Sequence, residues 1–166
     1  NNVWVYLYRN LFVYNDDNQI TEEVVTTFDS GNWANLERTT YTYDENTYLV
    51  MTVFEFWHNN NWEVNSRRLY TNDSSGKMLV ELGENNDYGN WVALYRNTCS
   101  YNDNGNLEIW LYENCVNNVW ENDFINTYSY DEYNRLTCTL TEFSEQNPPF
   151  EMTERYIYSY DTDGNM

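Results

Sequence analysis

Residues 90–118 read NWVALYRNTCSYNDNGNLEIWLYENCVNN and contain the pattern from which the fold is predicted. Both halves alternate with period two and are rich in aromatic and hydroxyl residues, which is typical of β-strands. Between them, the NDNG sequence of residues 102–105 is typical of a turn with glycine at a positive φ. The stretch therefore predicts a hairpin closed by a type I turn and a G1 bulge, with Tyr101 opposite Leu107 and Cys99 opposite Ile109.

The same pattern returns along the chain with a period of 29 residues. A tryptophan column consists of Trp4, Trp33, Trp62, Trp91 and Trp120. An arginine column, five residues further on, consists of Arg9, Arg38, Arg67 and Arg96. A tyrosine column, ten residues after the tryptophan, consists of Tyr14, Tyr43, Tyr101, Tyr130 and, one residue late, Tyr160. Such a fixed period indicates tandem structural repeats.

These columns predict an all-β fold of tandem 29-residue β-hairpin repeats, with about eleven antiparallel strands. We interpret 1–166 as a single repeat array, with units near 1–30, 31–59, 60–88, 89–117 and 118–146 and a partial unit at 147–166. In the predicted register, the tryptophan and tyrosine columns share one apolar face and form the structural core of the repeats. We therefore expect an antiparallel, curled or solenoid-like array that encloses this face.

The arginine column is predicted to lie on the opposite face. There it would be directly across from a column that includes Phe54 and Tyr112. We therefore expect cation–π contacts of Arg38 with Phe54 and of Arg96 with Tyr112, each contributing about 0.5–1 kcal/mol where exposed.

Composition and charge exclude several classes of protein. The chain has 27 acidic and 8 basic residues, a formal net charge of −19 and a pI near 4.1. A surface of this charge repels phosphate, so we expect no nucleic-acid partner. Apolar runs are too short for a membrane-spanning helix, so we expect no membrane insertion. Aromatic residues make up 19% of the chain, which argues against intrinsic disorder.

Catalytic chemistry is not indicated. His58 is the only histidine and lies in a predicted turn between repeats, so a catalytic triad is improbable, and we predict that the chain is not an enzyme. No cofactor or metal site is predicted. The Asp/Asn-rich turns each offer fewer oxygens than the six to eight that calcium prefers, and weak calcium bridging between turns stays an open alternative.

Three cysteines, Cys99, Cys115 and Cys138, lie at different phases of the repeat. This placement does not suit a repeated zinc site. For an exported protein it predicts one disulfide and one remaining thiol, with the pairing unassigned.

Aromatic residues that break the period are the candidates for ligand contacts. They are Phe54, Phe56, Trp110 and Tyr112, with Phe143 in addition. The regular columns are interpreted as core, whereas an irregular set is what a locally acquired binding patch produces.

Residues 42–49, 129–136 and 159–164 carry a Tyr-Asp motif: TYDENTYL, SYDEYNRL and SYDTDG. This motif resembles the YD repeat of Rhs proteins, teneurins and the shells of insecticidal toxin complexes, in which consecutive hairpins spiral into a β-sheet shell. The Asn-Trp…Arg…Tyr-x-Tyr-Asp pattern also resembles tandem repeats of large secreted proteins from Bacteroidetes-type bacteria. Both resemblances imply an extracellular bacterial scaffold and no catalytic residue.

The leading functional hypothesis is therefore a structural extracellular repeat protein, a stalk, shell or filament segment of a bacterial surface or secreted protein. Because the sequence starts at Asn1 without methionine, we expect a processed chain or part of a longer one. Pairing of its ends with other copies, in a fibre, is the competing expectation. The alternative function is a glycan- or protein-binding adhesin module that uses the exposed aromatics.

Overall fold

The computed structural model describes residues 7–29, 31–144, 151–161 and 163–164. It contains strands and turns and, within these residues, no helix. The strands are β1 (Tyr8–Tyr14), β2 (Ile20–Asp29), β3 (Asn32–Tyr43), β4 (Leu49–His58), β5 (Asn61–Asn72), β6 (Met78–Asp87), β7 (Asn90–Tyr101), β8 (Leu107–Val116), β9 (Val119–Tyr130), β10 (Leu136–Phe143) and β11 (Glu151–Ile157). They form one 11-stranded sheet in chain order, which confirms the predicted all-β, antiparallel fold.

The chain divides into two compact units. The N-terminal unit comprises Asn1–Tyr70 and Gly83–Val92, and the C-terminal unit comprises Thr71–Leu82 and Ala93–Met166. Among the described residues no large side chain is fully buried, and Cys99 is the one buried hydrophobic residue, at 7% exposed. Half-buried side chains on the faces of the sheet therefore take the place of an interior core.

Turns of one kind close the hairpins that begin with β1, β3, β5, β7 and β9. In the hairpin of β7 and β8, the Oδ1 atom of Asn102 accepts hydrogen bonds from the backbone N–H groups of Asn104 (3.1 Å) and Asn106 (3.0 Å). Gly105 follows with φ 78°, in the left-handed region that glycine adopts without strain. Its equivalents also have positive φ and are Asn18, Thr47, Gly76, Asn134 and Gly164. The predicted left-handed turn residue is therefore confirmed.

Thr47 is the least suitable residue among these equivalents. Its φ of 68° places a β-branched side chain in the left-handed region, where L-residues other than glycine lose roughly 1–2 kcal/mol. We expect Thr47→Gly to raise the free energy of unfolding by about 1 kcal/mol, measured by urea denaturation. The control, Thr40→Gly in the middle of β3, should lower it by about 0.5–1 kcal/mol, since glycine weakens a strand. A loss of stability in Thr47→Gly would contradict the assigned turn.

β-Bulges of two kinds offset the register by one residue, one kind within hairpins beside the turn and the other between successive hairpins. Tyr101 pairs with Leu107 as predicted, but Ser100 pairs with Ile109, which leaves Glu108 as the extra residue. Equivalent bulges occur at Thr21, Val50 and Thr137. Others, early in the odd-numbered strands, occur at Leu36, Asn65 and Asp123.

The bulges overturn part of the predicted register. Cys99 pairs with Trp110, not with Ile109, because the bulge at Glu108 shifts every later pair by one residue. Since a shift by one residue moves a side chain to the other face, the bulges also change which columns lie together. Trp120 pairs with Cys115, whereas Phe124 pairs with Tyr112 on the other face of β8. Tyr130 lies an even number of residues after Phe124 on β9 and so shares its face, which places the tryptophan and tyrosine columns on opposite faces of the C-terminal unit. The predicted common apolar face is therefore wrong.

Candidate functional site

The two faces of the sheet carry different chemistry. In β8, Glu113 and Cys115 lie on what we call the ladder face, and Trp110 and Tyr112 lie on what we call the ring face. In the N-terminal unit, the equivalent residues of β4 are Glu55 on the ladder face and Phe54 on the ring face, because both lie 58 positions earlier, two periods of the sequence.

Each arginine on the ladder face contacts residues of the two strands that follow its own strand in the chain. Arg96 donates two hydrogen bonds of 2.7 Å to the carboxylate of Glu113, and its guanidinium carbon lies 4.7 Å from the ring centre of Trp120. Arg38 makes the same contacts with Glu55, at 2.6 and 2.8 Å, and with Trp62, at 4.8 Å. Arg67 donates one hydrogen bond from its Nε atom to Glu84, and its guanidinium carbon lies 4.1 Å from the ring centre of Trp91. We call this contact the arginine clamp.

The pKa values of Arg38 and Arg96 are raised, mainly by the hydrogen bonds to the carboxylates. Burial acts in the opposite direction and lowers them, but by less. The predicted contacts of Arg38 with Phe54 and of Arg96 with Tyr112 are wrong. The bulge places Glu55 directly across from Arg38 and Glu113 directly across from Arg96. The aromatic partner is a tryptophan on the strand after that glutamate, Trp62 for Arg38 and Trp120 for Arg96. At Arg9, the glutamate is replaced by Thr26, whose hydroxyl accepts a hydrogen bond of 3.0 Å.

The tyrosine column connects successive hairpins. The hydroxyl of Tyr101 donates to the backbone carbonyl of Met78 at 2.9 Å, and burial raises the pKa of Tyr101. Equivalent bonds from Tyr43, Tyr130 and Tyr160 are 2.8–2.9 Å long.

The predicted core residues are therefore half-buried connectors between strands. Those in an intermediate environment are Trp33, Trp62, Trp91, Trp120, Tyr43, Tyr101, Tyr130 and Tyr160. Tyr14 is 52% exposed on β1, and Trp4 lies outside the described residues.

The ring face of the C-terminal unit carries a row of aromatic rings. Tyr112 stacks on Tyr95, with ring centres 5.6 Å apart, and on Phe124, with ring centres 5.2 Å apart and planes within 7°. Trp110 contacts Phe124 edge-on, with planes at 85°, and Phe143 contacts it in a tilted arrangement. Both faces of Tyr112 are covered, so this predicted binding residue offers a ligand its edge and its hydroxyl. Trp110 and Tyr112, two of the predicted binding residues, both contact Phe124 and therefore lie in one patch.

The ring face of the N-terminal unit has a hollow of about 510 Å³ at Phe54. Three strands, β3, β4 and β5, supply its lining, which is rich in hydroxyl groups: Thr39, Tyr41, Leu49, Thr52, Phe54, Asn65, Ser66, Arg67, Arg68 and Tyr70. Phe56, 42% exposed, contacts Phe54 edge-on, with ring centres 4.8 Å apart and planes at 82°. Such a contact leaves at least one face of Phe54 uncovered by Phe56. The hollow is the concave candidate site in the described part of the N-terminal unit.

Two rings of the aromatic row have no aromatic counterpart around Phe54. Phe54 is equivalent to Tyr112, and its neighbours Glu37 and Ser66 are equivalent to Tyr95 and Phe124. Where Phe124 covers one face of Tyr112, Ser66 leaves open space beside Phe54. Phe54 and Phe56 are predicted from the sequence as candidate binding residues, whereas Ser66 is not, although the column of 29-residue equivalents contains the signal.

Other candidate groups do not form sites. His58 pairs with Glu63 at 3.0 Å, and both side chains are more than half exposed. In the described residues, no group of three or more His, Cys, Asp or Glu side chains is arranged to hold a metal ion. Nor is any helix there long and apolar enough to cross a membrane.

The predicted disulfide is wrong. Cys99, Cys115 and Cys138 are all free thiols. Cys99 pairs across the sheet with Trp110 and Cys115 with Trp120, so their neighbours on the adjacent strands are tryptophans. Burial raises the pKa of the Cys99 thiol, which favours its protonated, less reactive form.

No known protein family and no curated protein matches the chain. A protein of unknown function from Bacteroides fragilis is similar in structure, with a TM-score of 0.58 and 14% identity over 70% of this chain and 88% of that one. A DUF3836 family protein from Bacteroides vulgatus has a TM-score of 0.44 and 16% identity, over 54% and 92% of the two chains. A second DUF3836 protein, from Parabacteroides distasonis, has a TM-score of 0.29 and 16% identity, over 78% and 77%. At these identities, the first similarity shows the fold alone, an antiparallel all-β sheet.

Proposed function

We propose that the chain is a structural repeat protein, an extracellular segment of a bacterial stalk, shell or filament. In this proposal, its 29-residue hairpins form a curled or solenoid-like array related to YD repeats. The observation that carries the proposal is the arginine clamp, made by Arg38, Arg67 and Arg96 with the same partners at the same spacing. Each clamp connects three successive strands, so each hairpin is stabilised mainly by its neighbours, as in repeat proteins.

The surface chemistry supports a passive role. The polar atoms of the arginine clamps, of the column tyrosines and of the turn side chains form hydrogen bonds within the chain. No buried side-chain nitrogen or oxygen of the described residues lacks a hydrogen-bond partner. A net charge of −19 keeps such a surface soluble and repels other copies, which favours contacts through the strand edges if the chain assembles with itself.

Mechanical unfolding tests this proposal. In a stalk of nearest-neighbour hairpins, pulling from both ends should release one 29-residue repeat at a time. At roughly 3.4 Å per extended residue, each step should lengthen the chain by about 100 Å in force spectroscopy. Equal successive steps of this size are the expected result, and release of the entire chain in a single step would contradict the proposal.

A second function, a glycan- or protein-binding adhesin module, is favoured by one specific feature, the hollow at Phe54. The two functions are compatible, because the hollow lies on the ring face and the arginine clamps on the ladder face.

A further inference from the structure

We propose that the hollow beside Phe54 binds a neutral saccharide, with one sugar ring stacked on Phe54 in the space that Phe124 fills beside Tyr112. This rests on the second function proposed above, the binding module, for which it names the ligand class and the position, and it does not depend on the structural role.

The geometry of the aromatic row defines the vacant position. Phe54 pairs across the sheet with Ser66, as Tyr112 pairs with Phe124. The Tyr112–Phe124 contact shows that this backbone arrangement brings two rings to 5.2 Å with parallel planes. At Ser66 the second ring is absent, so a ring supplied by a ligand can take the same position.

The chemistry of the lining selects a saccharide over a purely aromatic ligand. Thr39, Thr52 and Ser66 contribute hydroxyl groups around Phe54, and each hydroxyl can both donate and accept a hydrogen bond. A sugar presents an apolar C–H face to the phenyl ring and hydroxyl groups at its rim, which match these partners. A flat apolar compound would bury these groups and leave them without hydrogen-bond partners, which is unfavourable.

Charge favours a neutral ligand. The guanidinium of Arg67 is held on the ladder face by Glu84 and Trp91. Arg68 lies across from Thr52 on the ring face and contributes one positive charge to the lining of the hollow. The hydroxyl of Tyr41 donates to Glu23 at 3.3 Å, which places a carboxylate near the rim. These two opposite charges offset each other, and the net charge of −19 disfavours an acidic sugar. The volume, about 510 Å³, is within the usual range for small-ligand sites of roughly 300–1,000 Å³.

Binding of neutral hexasaccharides of glucose, xylose, mannose and galactose, measured by NMR titration and calorimetry, tests the proposal. We expect at least one of them to bind and to shift the amide signals of Thr52, Phe54 and Ser66. The decisive variant is Ser66→Phe, which restores the ring found at Phe124. It should weaken binding at least tenfold while its thermal midpoint stays at or above that of the parent chain, so the loss cannot result from unfolding.

Val64→Phe is the matched control. Val64 lies on the same strand but pairs with Glu55 on the ladder face, so the same side chain added there should leave binding unchanged. Three results would overturn the proposal: no neutral hexasaccharide binds, binding survives Ser66→Phe, or a hexamer of galacturonic acid or free indole binds more tightly than every neutral sugar.

Discussion

Removal of residues 103–131 should leave a folded, cooperatively unfolding sheet that is shorter by two strands. This deletion removes one period of 29 residues and joins Asn102 to Glu132, so β7 continues through an intact turn into β10. Asn134, with φ 61°, then supplies the left-handed residue that Gly105 supplied before. Arg96 loses Glu113 but meets Glu142, which is 29 positions further on. We expect a β-sheet circular dichroism spectrum, a single thermal transition and reduced stability.

Removal of residues 103–117 is the matched control and should abolish the fold. It joins β7 directly to β9, and both of these strands pair antiparallel with β8, so they run in the same direction. A parallel connection needs a crossover of about a dozen residues, and the junction provides only a tight turn. If both deletions unfolded the chain, or both left it folded, the 29-residue hairpin repeat would not be its structural unit.

Arg96→Met should lower the free energy of unfolding by about 2–3 kcal/mol. The substitution leaves the Glu113 side chain, 8% exposed, without its cationic partner and removes the contact with Trp120. Breaking a buried ion pair costs about 3–5 kcal/mol, and the 35% exposure of the arginine side chain reduces that figure through solvent screening. For a chain of 166 residues, the thermal midpoint should fall by about 5–10 °C.

The double variant Arg96→Met with Glu113→Gln controls for simple loss of packing. Because it removes both charges, it should be less destabilised than the sum of the two single variants. A loss below about 0.5 kcal/mol in Arg96→Met, measured by urea denaturation, would show that the clamp does not stabilise the sheet.

The sequence predicts the strands and turns because both depend on local chemistry. Alternation with period two identified each hairpin, and the NDNG sequence at 102–105 identified its turn. The faces could not be predicted, since a bulge adds one residue without a fixed residue type. The equivalent bulges hold Thr21, Val50, Glu108 and Thr137, and residues of these types also occur throughout the regular parts of the strands, so none of them marks the site. One missed bulge moves every later side chain to the opposite face.

The candidate site was predicted in part for the same reason. Phe54 and Phe56 were recognisable as aromatics outside the regular columns, and the structure places them in contact. The hollow depends on the small side chain of Ser66. Its role could not be predicted without the register, which pairs Ser66 with Phe54 across the sheet. The partners of the arginines were missed because the nearest aromatic in the predicted register was Phe54 or Tyr112, one residue away from the true pair.

Coupling energies measured in two repeats show whether different repeats contain the same stabilising contact. Double-mutant cycles with Arg→Met and Glu→Gln substitutions would be measured at Arg38 with Glu55 and at Arg96 with Glu113. We predict coupling of about 1–2 kcal/mol at each pair, equal within about 0.5 kcal/mol. Coupling near zero at one pair and substantial at the other would show that the repeats differ in this contact.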